Sequence, residues 1–171
     1  MSTAIELRNF SRMYGAYLNR YFLPFIVIWS TLFFVPGSVF SQDLFKKDTL
    51  TIFTLKGAAH KFDIELAVTP EQKSQGLMHR KKMPLDAGML FVYEDENDVM
   101  MWMKNTYLPL DMLFLNSEGK IVYIEENTTP LSTRTISSGR NVIGVLELNA
   151  GTALRLGIKA GDIANHHLLQ Q

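Results

Sequence analysis

The chain has no cysteine. That excludes disulfides, thiolate metal ligands, thiol nucleophiles and lipid attachment to a cysteine, so stability must come from the core alone. There is no excess charge either: 17 basic residues balance 17 acidic ones. Nucleic-acid binding needs clustered positive charge to neutralise phosphates, so no nucleic-acid partner is expected. The four histidines, His60, His79, His166 and His167, form no H-x-x-x-H or H-E-x-x-H pattern, and Gly-x-Ser-x-Gly is absent. Zinc hydrolysis and the serine elbow therefore lack their motifs. His166-His167, close to the terminus, reads as solvated. Glu94 to Asp98 carries four carboxylates in five residues but lacks the glycine and the spaced Glu of a calcium loop, and reads as a solvated acidic turn. No catalytic residue, metal ligand or cofactor follows from any complete motif. Internal repeats and low-complexity tracts are also missing.

One long apolar run is present. Residues 21–40 carry no charge, and none falls between Arg20 and Asp43. The dense part, Phe22 to Val35, has the length of a signal-peptide h-region, and Arg8, Arg12 and Arg20 precede it. Pro36-Gly37 would stop a helix, and Val39-Phe40-Ser41 suits a cleavage site. The expectation is export with cleavage after Ser41. The alternative is an uncleaved anchor, since Tyr21 to Phe40 could just span a bilayer. Either way the remainder lies in the periplasm or at the outer face of the inner membrane, touching membrane only through this segment. Translation could begin at Met1 or at Met13, which would shorten the basic region. From Gln42 onward 14 basic and 16 acidic residues remain, a net charge of −2.

The exported part reads as a tether over 42–49, one β-rich domain over 50–167, and a tail over 168–171. Leu50 to Leu55 favours strand through Thr, Ile and Phe. Phe62, Ile64, Leu66 and Val68 alternate with Lys61, Asp63 and Glu65, the period of a half-buried strand. Thr69-Pro70-Glu71-Gln72 starts a short helix with a capping box, and Gly76 stops it. Met89 to Tyr93, Met112 to Leu115, Lys120 to Glu125 and Asn141 to Leu148 are further strands. Val99 to Met103, apolar throughout, reads as a strand buried on both faces. Asn127 to Gly139 is a long loop, Asn149 to Leu156 a second helix, and a last short strand follows Gly161. Many short strands with two small helices predict an α+β, mainly β fold: a compact single-domain barrel-like sheet, preceded by an N-terminal signal or anchor helix.

The polar residues inside the apolar stretch 76–111 are the candidate site. Trp102, Lys104, Asn105, Thr106 and Asp111 flank a turn closed by Pro109, and Arg80 could hold a ligand carboxylate bidentately. A Trp wall beside an amide, a hydroxyl, an ammonium and a carboxylate suits a small polar ligand such as a sugar or organic anion. The same residues also suit plain turn chemistry, with Asn and Thr bonding local backbone. Seven of the nine methionines fall between Met78 and Met112. Thioethers select Cu(I), so Met101 and Met103 are candidate soft-metal ligands, against the plainer role of filling core gaps. Glu147, between Leu146 and Leu148, alternates outward if those two face the core.

Taken together, Gly76-Leu77-Met78-x-Arg80, Gly88-Met89-Leu90-Phe91, Trp102-Met103-Lys104-Asn105-Thr106, Pro109-Leu110-Asp111 and Leu146-Glu147-Leu148-x-x-Gly151 resemble domain-of-unknown-function family 192. The similarity runs from about Thr51 to Asn165 with the blocks in the family's order. It implies a single small β-rich domain, often behind a signal or anchor, and implies no reaction. The missing cysteine between Asn127 and Gly139, where members often carry one, argues against a thiol-based function for the family. Three functional readings follow. The leading one is a non-catalytic ligand-binding or accessory domain. The second is a small enzyme with Asp111 as general base and Lys104 or Asn105 stabilising negative charge. The third is a copper carrier using Met101 and Met103.

Overall fold

The structure is a computed structural model that describes residues 44–170. The expected leader and its cleavage site lie outside those residues. Seven strands are present among them: β1 (Lys46–Phe53), β2 (Ala59–Ala67), β3 (Ala87–Asp98), β4 (Leu110–Leu115), β5 (Ile121–Glu125), β6 (Asn141–Asn149) and β7 (Ile163–Asn165). Helix α1 (Pro70–Gln75) joins β2 to β3, and α2 (Thr152–Leu156) joins β6 to β7. The sheet order is β5-β4-β6-β3-β2-β1-β7. All pairs are antiparallel except β2 with β3, which the α1 crossover makes parallel.

The sheet nearly closes on itself. Ile121 donates its N–H to Asp162 O, and Ala164 donates to Gly119 O, so β7 meets the start of β5. Gly119 sits at this seam with φ +72°, and a Cβ there would lie 2.3 Å from Ala164 O. Only glycine accommodates both the backbone twist and that approach. Closure removes the exposed edges that an open sheet would have to protect.

Strand alternation then sorts the apolar residues into two cores. Leu50, Ile52, Phe62, Ile64, Leu66, Leu90, Leu113, Leu146 and Leu148 point inward and fill the barrel. Met89, Phe91, Leu110, Met112, Phe114 and Val145 point outward from β3, β4 and β6. That outer face is covered by Leu77 after α1, by Val99, Met101, Met103 and Leu108, and by Ile136. Two long connections lie over it and bond to each other. Met101 exchanges both backbone bonds with Ile136, and Leu131 donates to Thr106 O. Phe114 and Met103 are completely buried here. Phe114→Ala is expected to cost about 3–5 kcal/mol and Met103→Ala about 2–5 kcal/mol, read as urea midpoints. Unchanged midpoints would contradict the assignment of both to the core.

Several local expectations change. β1 starts at Lys46, inside the stretch read as a tether, because residues 46–49 pair with β2. Leu169 is buried in the barrel core rather than trailing as a tail. Glu94 to Asp98 is an exposed continuation of β3, rejoining β6 at Asn97 after a register shift, and not a free turn. Val99 to Met103 is not a strand buried on both faces. Val99, Met101 and Met103 face the core, while Met100 and Trp102 are exposed. The capping box of α1 forms as read, with Gln72 donating its N–H to Thr69 Oγ1 and Gln72 Oε1 accepting from Thr69 N–H.

Candidate functional site

The six residues singled out in the sequence do not meet in one place. Asp111, near the start of β4, is completely buried. Its carboxylate accepts backbone N–H bonds from Asn127 at 3.0 Å, Gly151 at 3.1 Å and Ala153 at 2.9 Å. Helix α2 has Gly151 as its N-cap, which offers no side chain to cap it. Asp111 supplies that cap from 40 residues away, satisfying N-terminal donors that would otherwise be orphaned. α2 is shorter than the Asn149–Leu156 helix expected, since Asn149 still belongs to β6. As a general base Asp111 fails on access, since no substrate reaches it without opening the core.

Arg80 is occupied as well. Its guanidinium grips Glu65 bidentately at 2.9 and 2.5 Å and lies 5.5 Å from the Phe45 ring centroid. The bidentate carboxylate contact expected for a ligand is made to the chain itself. Arg80 lines a separate 810 Å³ cavity with Lys47, Asp48, Asp63, Lys81 and Asp86, where both charge signs are mixed. Asn105 adopts φ +56° and turns the chain; its carbonyl accepts from His79 N–H, and its Nδ2 lies 3.8 Å from Met78 Sδ. Asn therefore performs turn chemistry, as its tolerance of the left-handed region allows. Lys104 stacks its ammonium 5.1 Å from the Trp102 ring centroid.

Trp102 and Thr106 do share a cleft. It holds about 240 Å³ between α1 and segment 100–106. Met78, Met101, Tyr93, Lys73 and Phe91 also line it. Trp102 is 49 % exposed at the wall. Thr106 is buried, with its hydroxyl donating to Lys104 O. Tyr93 directs its hydroxyl at Met101 Sδ, 3.7 Å away, and carries the Lys73 ammonium 4.6 Å from its ring centroid. Met103 lies elsewhere, sealed in the outer core with Thr128 Oγ1 3.2 Å from its sulfur. Met101 and Met103 therefore do not present their thioethers to one opening.

Another residue lining the cleft is Glu147, on the central strand β6. Its cross-strand neighbours are Met89 on β3 and Met112 on β4. The residue is 4 % exposed; its carboxyl makes no hydrogen bond or ion pair to the described residues, and its oxygens open to the cleft rather than being sealed in the core. Burial pushes its pKa up to about 8, so the acid is largely protonated at neutral pH. The Tyr93 hydroxyl is pushed up to about 12, by burial first and by the nearby Glu147 second. Alternation correctly sends Glu147 to the face opposite Leu146 and Leu148. That face is not solvent, because the long connections cover it. The signal available in the sequence was one carboxylate within Val142 to Leu148, an otherwise apolar run. Such runs are buried on both faces, so the charge inside one is buried too.

A second cluster forms at the C-terminal end. Asp48, His166 and His167 place ligand atoms within 4.8 Å of one another. His166 is buried, not solvated, because β7 carries it onto β1. Its Nδ1 accepts from Leu168 N–H at 3.3 Å, which places the ring proton on Nε2, 3.4 Å from Asp48 Oδ2. A metal-bound imidazole donates through its other nitrogen instead. His166 Nε2 is buried without a hydrogen-bond partner, so its approach to Asp48 is a proximity and not a bond. Burial lowers the His166 pKa, and the Thr49 backbone N–H is the main cause of the lowered Asp48 pKa. Among the described residues no helix is long and apolar enough to cross a membrane.

Comparison with known proteins places this architecture. A crystal structure of a candidate transcription regulator from Sinorhizobium meliloti 1021 is 50 % identical, with TM-score 0.70, over 71 % of this chain and 94 % of that one. A protein of unknown function from Novosphingobium aromaticivorans DSM 12444 is 32 % identical, with TM-score 0.68, over 70 % of this chain and 85 % of that one. No curated protein matches. The model of the uncharacterised ACR family, DUF192, matches residues 51–166, the span that holds the barrel, the two covering connections and the Glu147 cleft, and the chain belongs to that family.

Proposed function

We propose that this is a small-ligand-binding domain, acting outside the cytoplasm, whose site is the cleft between α1 and segment 100–106. The observation that carries the reading is Glu147. Burying a carboxyl without a partner costs several kcal/mol, and a purely structural position in a Met-rich core would be filled by an apolar residue. Unpaired buried acids with displaced pKa values concentrate at functional clefts. Trp102, half exposed beside it, adds the rigid aromatic wall that binding sites favour. The extracellular setting is supported by the uncharged run at 21–40 and the basic residues before it. A regulatory role of the kind named for the Sinorhizobium protein draws no support from charge, which is balanced over the whole chain.

The test is a thermal-shift and tryptophan-fluorescence screen of the full chain against sugars, organic anions, amines and metals. Trp102→Ala should change stability by no more than about 0.5–1 kcal/mol, because the side chain is half solvated. The same substitution should remove the shift produced by a true ligand. Leu154→Ala, at an exposed site on α2, should leave that shift intact. A screen without hits, or hits indifferent to Trp102→Ala, would retire the reading.

A further inference from the structure

We infer that the cleft takes a small organic ammonium ion, bound by exchange for the proton of Glu147. The inference rests on the binding role of this cleft and names its ligand class. A neutral hydrogen-bonding group at the floor could as well be Gln, with similar reach and no proton to lose. What a carboxyl adds is a negative charge available when a cation arrives. The exchange balances: one ammonium enters, Glu147 releases one proton to bulk water, and an ion pair replaces a neutral acid.

The surroundings favour a cation of this kind. Tyr93 and Trp102 already carry ammonium groups near their rings, from Lys73 at 4.6 Å and Lys104 at 5.1 Å. Aromatic faces attract cations through the ring quadrupole. Met78, Met100 and Met101 line the cleft and supply polarisable apolar surface for the carbon part of the ligand. Groups suited to anions are engaged elsewhere: Arg80 holds Glu65 in a different cavity. The 240 Å³ volume limits the ligand to a few carbons or one small ring. The charged and titratable groups facing Glu147 in the cleft are Lys73 from α1 and Tyr93 from β3; β4 contributes the neutral Met112. Lys73 donates to Val92 O at 3.0 Å and opposes a second cation, so its head must yield toward solvent when the ligand enters.

The experiment is calorimetric titration of the full chain with butylamine, phenethylamine and tetramethylammonium, in buffers of different ionisation enthalpy. Acetate, glucose and Ag(I) are the opposing probes. At pH 7 close to one proton should be released per amine bound. Affinity should rise about tenfold per pH unit from 6 to 7 and level off above about 8, where Glu147 is already ionised. Glu147→Gln should abolish both binding and proton release, while Lys73→Met should tighten amine binding. Proton release by the wild-type chain stands even if Glu147→Gln fails to fold. Amine binding without proton release, amine binding retained in Glu147→Gln, or binding of Ag(I) alone overturns the inference. Binding of acetate or glucose in the cleft, lost in Trp102→Ala, overturns the ammonium assignment and leaves the binding role standing. No binding by any probe overturns the inference and counts against the role itself.

Discussion

Glu147→Gln is expected to flatten the dependence of stability on pH between about 5 and 8. The carboxyl has a folded pKa of about 8 against an ordinary value of 4.5. Below the ordinary value the acid is protonated in both the folded and unfolded chain and contributes no slope. Between the two values the folded chain holds a proton that the unfolded chain has lost. Stability therefore falls as pH rises through that window, and levels off above the folded pKa. At about 1.4 kcal/mol per pKa unit the full window amounts to roughly 4–5 kcal/mol. Gln removes the titration, so the wild-type and variant profiles should converge at low pH and separate toward pH 8. Urea midpoints of both chains from pH 5 to 9 measure this, and other titrating groups cancel in the difference. Parallel profiles would show that Glu147 is solvated or paired, and would remove the observation on which the binding role rests.

Asp111→Ala is the second large effect. Three backbone N–H groups, of Asn127, Gly151 and Ala153, lose their acceptor; that of Ala153 is buried and the other two are partly exposed. A buried donor left unmade costs about 1–3 kcal/mol and a partly exposed bond about 0.5–1.5 kcal/mol, so one of the first and two of the second give a loss of about 2–6 kcal/mol. That is a large part of the stability of an ordinary domain. Asp111→Asn should not rescue it fully. The amide keeps one acceptor oxygen but turns an NH₂ group toward backbone donors, and a loss of about 2–4 kcal/mol is expected. Chemical denaturation of the three chains gives the ranking. An Asn variant as stable as wild type would mean that the carboxylate is not the distal cap of α2.

Asp111 also shows how two residues of the same chemistry are sorted. Asp111 and Glu147 both sit in apolar strands, and either could serve a ligand. Asp111 lies one residue into β4, where the start of α2 and the 126–128 backbone bring N–H groups to it. Glu147 lies on β6 between β3 and β4, where its neighbours' backbone groups are already spent on ladder bonds to both strands. The first carboxylate is satisfied by the fold and the second is left with an unused charge. Strand position, rather than residue type, separates them.

Much of the fold was legible because its signals are local. Alternation over Lys61 to Leu66 and the Thr69–Gln72 capping box depend on residues within a few positions of one another. They determined a mainly-β domain with two short helices, and the family blocks placed it. The site was less legible, because its parts come from α1, β3, β6 and segment 100–106. Trp102 and Thr106, singled out by their unusual setting in an apolar stretch, line the candidate cleft. Arg80 and Asp111 looked equally promising, and only folding brought Glu65 to the one and three backbone amides to the other. The sequence by itself determined which faces of the strands are apolar. The tertiary structure decided that the outward face of β6 is covered rather than wet. A covering segment far away in the chain turned Glu147 from a surface charge into a buried, unpaired acid, because burial depends on what packs against a residue and not on the residue itself.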